Sequence, residues 1–130
     1  MEMIHFVSSK RMDWKTPKWL YQELDDEFGF DFDPCPTNPT FDGLQIDWGR
    51  CNYVNPPYGR SIKAWVYKAW WESRRGATCV MLIPARTDTS YWHDVIFPFA
   101  KEIRFMPGRL KFDDGKNPAP FASALVVFGQ

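Results

Sequence analysis

The sequence predicts an α/β fold: a sheet that is mostly parallel, with a final antiparallel element. Three observations lead there. Strand-like segments alternate with helical ones, the pattern of βαβ units. Thr78 to Ile83 is apolar along almost its whole length, as in a strand buried on both faces. Ala124 to Phe128 supplies a last strand after an excursion rich in Gly and Pro. At 130 residues the chain fits one domain, so any catalytic fold it carries is a trimmed one.

In chain order, Thr16-Pro17 is a helix start, because a threonine hydroxyl caps orphan N–H groups and proline costs nothing at the first helical position. The helix runs to about Phe28, with Trp19, Leu20, Leu24 and Phe28 on one stripe and Gly29 at the left-handed cap. Phe30 to Asp33 alternates apolar and acidic residues as a short strand, and Pro34 to Asp42 is a loop. Cys51 to Val54 is a second short strand that leads into Asn55-Pro56-Pro57-Tyr58, and Ser61 is placed to cap the next helix. Ile62, Trp65, Val66, Ala69 and Trp70 mark that helix, which ends near Arg74-Arg75-Gly76. A polar loop, Ala85 to Thr89, precedes a helix carrying Tyr91, Trp92, Val95, Ile96 and Phe99. Ile103 to Met106 is a further strand, and Leu110 to Phe112 could form a hairpin before the last one. In such sheets ligands bind at the carboxyl ends of strands, which here are the loops around Asp33, Asn55 and Arg86.

Composition narrows the classes. Charged residues make up 25% and cancel to a net charge of zero, so DNA binding would need a local patch or a homo-oligomer. Aromatics reach 18% with seven Trp, mostly core material on this reading. The three cysteines, Cys35, Cys51 and Cys79, lack the spacing of a metal site and are odd in number, which suits reduced core thiols and no metal. Met1 to Lys10 has no long apolar run, and no stretch approaches the roughly eighteen apolar residues of a membrane span; the expectation is a soluble, cytoplasmic protein with no membrane partner.

Asn55-Pro56-Pro57-Tyr58 carries the chemistry. The amide oxygen of Asn55 and the carbonyl of Pro56 can accept both hydrogens of an exocyclic amino group, as on adenine N6, while Tyr58 stacks on an extruded base. Pro56 and Pro57 fix φ, which aims the carbonyl before substrate arrives. The same four residues also suit a plain rigid turn. A methyl donor would need its own pocket, and Asp33-Pro34-Cys35 lies where one is expected. Asp33 equally suits a strand-ending turn, and Thr16 a simple cap.

Taken together, Trp14 to Pro17, Glu27 to Cys35, Asn55 to Gly59, Ile83 to Thr89, Ile103 to Phe112 and Ala124 to Phe128 resemble the phage-type DNA N6-adenine methyltransferase (Dam) family. The resemblance implies a trimmed, Rossmann-like class I S-adenosylmethionine-dependent methyltransferase sheet acting on adenine in DNA, in the cytoplasm of a host cell if phage-encoded. It makes Asn55, Pro56, Pro57 and Tyr58 the catalytic motif. Asp33, with Pro34 and Cys35, matches the donor-binding strand end, and Thr16-Pro17 the segment that approaches the donor's methionine end. Arg86 and Arg109 fall in loops that face substrate in this pattern, or form surface salt bridges. The chain departs from broader class I enzymes after its first strand: Cys35-Pro36-Thr37-Asn38-Pro39 has no glycine before Gly43. The usual second and third strands are missing, and with them the acidic ribose contact, for which Asp47 is a substitute or merely a loop carboxylate. RNA adenine, protein glutamine and a catalytically silent DNA-binding module stay open as alternatives.

Overall fold

The computed structural model describes residues 14–115 and 117–129; Met1 to Lys10 lies outside them. The first helix, α1 (Lys18–Phe28), starts on the Pro17 carbonyl, which accepts from the N–H groups of Leu20 and Tyr21. It ends at Gly29, left-handed at φ 70°, whose N–H donates to the Asp25 carbonyl. Thr16 makes no capping bond, contrary to its sequence reading, because its hydroxyl is engaged elsewhere. Leu20 and Leu24 form the buried stripe, whereas Trp19 lies outside it with half its surface exposed.

The strand expected at Phe30 to Asp33 is reduced to one parallel bridge, Phe32 to Asn52. Its ladder consists of Asp31 N–H to the Cys51 carbonyl and Tyr53 N–H to the Phe32 carbonyl. Pro34 has no N–H to extend it, and Asp33 turns the chain by accepting the Cys35 N–H at 2.8 Å. No strand follows until β1 (Cys51–Val54), which enters the turn Asn55 to Tyr58.

The next helix, α2 (Ile62–Arg74), buries Ile62, Trp65, Val66 and Ala69 as expected; Ser61, however, makes no side-chain cap. It leads through Gly76, at φ 105°, into β2 (Thr78–Pro84), whose residues after Thr78 are all buried. The helix expected around Trp92 is wound as a π-helix, Trp92–Ile96, followed by a single turn, α3 (Phe97–Phe99). Pro98 explains the wide turn: it lacks an N–H for the carbonyl four residues back and its ring would crowd that carbonyl in an α-helix. Strands β3 (Glu102–Phe105) and β4 (Ser123–Phe128) follow, and the connection between them holds a 3-10 turn, Phe112–Asp114, in place of the suggested hairpin.

The four strands form one sheet in the order β1-β2-β4-β3. β1 pairs with β2 in parallel, and β4 pairs antiparallel with both β2 and β3. By ladder, then, the sheet is not mostly parallel: one pair is parallel and two are antiparallel. Direction tells a different story, because two antiparallel steps restore the original sense. β1, β2, β3 and the Phe32 bridge all run one way, and the inserted C-terminal strand β4 alone runs the other.

The sheet is covered on both sides. Tyr53, Val80, Leu82, Leu125 and Arg104 face one side by register. There α1 lies across the strands, its Tyr21 ring edge-on to Tyr53 and its Glu27 paired bidentately with Arg104. Val54, Met81, Ile83, Val126 and Phe105 face the other side, where Trp92 of the π-helix stacks on Phe105 and the π-helix packs on α2. Among the described residues no helix is long and apolar enough to cross a membrane.

The irregular segment between Phe32 and β1 is held by Gly43. A β-carbon there would lie 1.9 Å from the Pro34 carbonyl oxygen and 2.8 Å from the Trp65 ring. Gly43→Ala is therefore expected to lower stability by about 2 kcal/mol or more, since backbone must move to make room. A drop in the urea midpoint at unchanged slope checks this; an unchanged midpoint would mean the loop yields freely.

Candidate active site

Because β1, β2, β3 and the Phe32 bridge share a direction, the segments that follow them leave from one edge of the sheet. Those segments carry Asp33, Asn55, Arg86 and Arg109. A cavity of about 620 Å³ lies at this edge, with Thr16, Asp33, Cys35, Asn55, Pro56 and Pro57 in its wall. Residues as far apart as 16 and 57 thus meet in one place.

The Asn55 amide is fixed from its nitrogen side. Nδ2 donates to the Trp14 carbonyl and, at 3.1 Å, to Thr16 Oγ1. Thr16 Oγ1 is in turn hydrogen-bonded to the Tyr53 hydroxyl. Asn55 Oδ1 is buried and has no hydrogen-bond partner. Among the described residues, the other buried side-chain atoms in that condition belong to Glu72, Trp92 and Ser123, none of them in the cavity wall. An unsatisfied buried acceptor costs about 1–3 kcal/mol; because Oδ1 is closed to solvent although its residue lines the cavity, a ligand's donor reaches it only when the wall gives way.

Asp33 is the carboxylate of the wall. Burial raises its pKa above the ordinary aspartate value, and the Cys35 N–H opposes that rise. The neighbouring Cys35 thiol is pushed up to about 11, by burial first and the Asp33 charge second. It is therefore a neutral thiol at physiological pH, and it lines the cavity while packing against the core. Cys79 is the fully buried cysteine of the three. In the loop after Cys35, Asn38 takes the left-handed conformation at φ 53°, a backbone state that usually calls on glycine.

Not every residue expected at the site reaches it. Asp47 is exposed, forms an ion pair with Arg75 at 3.2 Å, and is not among the residues of the cavity wall. Pro17 and Pro34 are buried beside the wall residues Thr16 and Asp33 and act through the backbone they set. Arg86 and Arg109 are exposed on the carboxyl edge outside the cavity. Tyr58 is only 6% exposed; its hydroxyl donates to the Leu82 carbonyl at 2.9 Å, and its ring meets those of Phe112 and Phe121 edge-on. In this arrangement the Tyr58 hydroxyl ties the turn to β2 and the side chain is buried.

That anchoring has a measurable side. Tyr58→Phe is expected to lose about 1 kcal/mol, the net worth of one buried hydrogen bond, and Tyr58→Ala about 3–5 kcal/mol from the cavity it leaves. Chemical denaturation of both variants checks the ranking; equal stability of wild type and the Ala variant would exclude an anchoring role.

Sequence reasoning missed Tyr53 and Asp113. Tyr53 looked like one more apolar residue of a buried strand, and only the register of β1 turns its hydroxyl toward Thr16. Asp113, at φ 60°, exchanges backbone and side-chain bonds with Lys15: its N–H donates to the Lys15 carbonyl at 2.7 Å and its Oδ1 accepts the Lys15 N–H at 3.0 Å. This clasp ties the β3–β4 connection to the segment that carries Thr16, and no local motif announces it.

The covered sheet, with a ligand-sized cavity at the carboxyl ends of its co-directional strands, is that of an α/β domain with room for a small molecule. The family follows from comparison. The model of the DNA N-6-adenine-methyltransferase (Dam) family matches residues 4–126, and the chain belongs to that family. No match was found among curated proteins.

Proposed function

We propose that this chain transfers the methyl group of S-adenosylmethionine to the N6 amino group of adenine in DNA. The observation that carries the reading is Asn55 Oδ1: a buried acceptor without a partner, on an amide whose nitrogen is already held, in a residue that lines a cavity together with Asp33. Family membership supplies the class of reaction. The strand directions support a trimmed class I sheet, in which a lone antiparallel strand sits between co-directional neighbours.

The cavity residues suit the donor. Its volume falls in the range of small-molecule pockets, about 300–1,000 Å³. Asp33 is placed to meet an ammonium group, and the loop from Cys35 to Pro39 closes the wall beside it. S-adenosylmethionine, when bound, supplies a methyl group whose bond to the sulfonium sulfur breaks, with its electron pair going to sulfur, as the new nitrogen–carbon bond forms.

The protein's own contribution is made at the amino group. The lone pair of adenine N6 is delocalised into the ring, which makes the nitrogen a poor nucleophile. Asn55 Oδ1 and the Pro56 carbonyl accept its two N–H bonds and favour a pyramidal nitrogen whose lone pair is free to attack. Both bonds strengthen as positive charge grows on nitrogen, so they stabilise the transition state more than the ground state. Neither acceptor is a strong base, and the surplus proton leaves to water. Tyr58 holds this turn against β2. Arg86 and Arg109, on the same edge, meet DNA phosphates or a guanine edge.

Transfer of labelled methyl groups to unmethylated DNA, RNA and protein, measured side by side, tests the reading. Label in DNA alone is the expected result. Label in RNA or protein alone would reassign the substrate, and no transfer together with no donor binding would establish a silent module.

A further inference from the structure

We infer that Thr16 and Tyr53 are positioning residues that lock the Asn55 amide in the one orientation that leaves its oxygen for the substrate. The inference rests on the amino-grip reading above and adds to it the device that sets the grip. An asparagine amide can present either its oxygen or its NH2 to a given side, and only the oxygen can accept an amino hydrogen. The surroundings decide which. The Trp14 carbonyl is an acceptor and nothing else, so the atom facing it must be Nδ2. Thr16 Oγ1 takes the second Nδ2 hydrogen at 3.1 Å, which uses both amide donors.

Thr16 is itself restrained. Its hydroxyl has one hydrogen and two lone pairs, and it shares a hydrogen bond with the Tyr53 hydroxyl. Whichever of the two donates, Thr16 keeps a lone pair for the amide. Tyr53 is 2% exposed, and burial raises its pKa well above the usual tyrosine value, so it stays a neutral hydroxyl at working pH. Tyr53 sits two residues before Asn55, on the rigid strand β1, while Thr16 comes from the segment before α1. Two separate pieces of chain therefore fix one amide. The hydroxyl that would have capped α1 is spent on this contact, which accounts for a Thr-Pro start without a cap.

The test uses Thr16→Val, Thr16→Ser and Tyr53→Phe in otherwise intact protein and again in an Asn55→Ala background. With valine, kcat is expected to fall about tenfold, the worth of one net hydrogen bond, with KM for DNA and donor affinity within about twofold of wild type. Serine keeps the hydroxyl and restores kcat; Tyr53→Phe lowers kcat by a smaller factor. In the Asn55→Ala background neither valine nor phenylalanine lowers kcat further, because the group they position is gone. An equal loss from Thr16→Val with and without Asn55 overturns the inference and leaves the grip standing. A loss confined to donor affinity overturns it too, and gives Thr16 to the donor. If Asn55→Ala alone leaves kcat unchanged, the grip itself fails. A thermal melt of each variant identifies a folding defect, and Tyr53→Phe, measured with and without Asn55, then carries the test.

Discussion

Asn55→Ala is expected to lower the rate of methyl transfer by about 10²–10³-fold while leaving donor binding intact. The expectation follows from what the alanine removes. Asn55 Oδ1 is the buried, unpartnered acceptor of the cavity wall, and its amide nitrogen spends both hydrogens on Trp14 and Thr16. Loss of an acceptor that strengthens its bond as charge develops falls on kcat, whereas loss of uniform binding would fall on KM. Single-turnover kinetics with saturating donor separates the two. A raised KM at unchanged kcat would make Asn55 a binding residue only.

The second large effect concerns Asp33. Asp33→Asn is expected to weaken S-adenosylmethionine binding by about ten- to a hundredfold, because the donor's ammonium loses its carboxylate in a partly dehydrated wall. Its pH dependence has a definite sign. Burial raises the folded-state pKa of Asp33, so in the free protein the proton is held to a higher pH than in an ordinary aspartate. A bound cation favours the ionised form and displaces that proton. Donor affinity is therefore full above the raised pKa and falls as pH drops through it, and the Asn variant lacks this dependence. Folding responds oppositely. Between the unfolded and folded values the native state binds more protons, so the contribution of Asp33 to stability declines as pH rises through that window. The Asn variant is expected to melt slightly higher than wild type at neutral pH without donor. Calorimetric titration across a pH series checks the affinity; an Asn variant that binds as tightly as wild type would place the ammonium elsewhere.

Much of the fold was legible because burial leaves its mark on sequence. The apolar run of β2, the stripe on α2 and the Gly29 cap each have one physical reading, and each is found. The direction of pairing was less legible, since β3 and β4 present only their own side chains and not the identity of their neighbours; β4 is inserted beside β2, where a chain-order reading would have set β3. The strand at Phe30 to Asp33 shrank to a bridge because Pro34 withholds the next donor and the Asp33 carboxylate captures the Cys35 N–H.

The site shows the same division. Asn55, Pro56 and Asp33 stand out in sequence because their chemistry is unusual at a strand end, and the fold brings all three to one cavity wall. Thr16 has two uses with one signature, cap and ligand, and only the fold shows which one its hydroxyl serves. Tyr58 illustrates the converse. An aromatic after two prolines reads equally as a stacking platform or a buried anchor, and the bond to the Leu82 carbonyl belongs to the anchor. Asp47, isolated in sequence from any partner, finds one in Arg75 at the end of α2, away from the cavity.

The decisive experiment is digestion of unmethylated DNA to nucleosides after incubation with the protein and S-adenosylmethionine, followed by mass spectrometry. N6-methyldeoxyadenosine is expected from wild type and nearly absent with Asn55→Ala. Methylation at a cytosine, or N6-methyldeoxyadenosine at equal yield from both proteins, would contradict the proposed reaction.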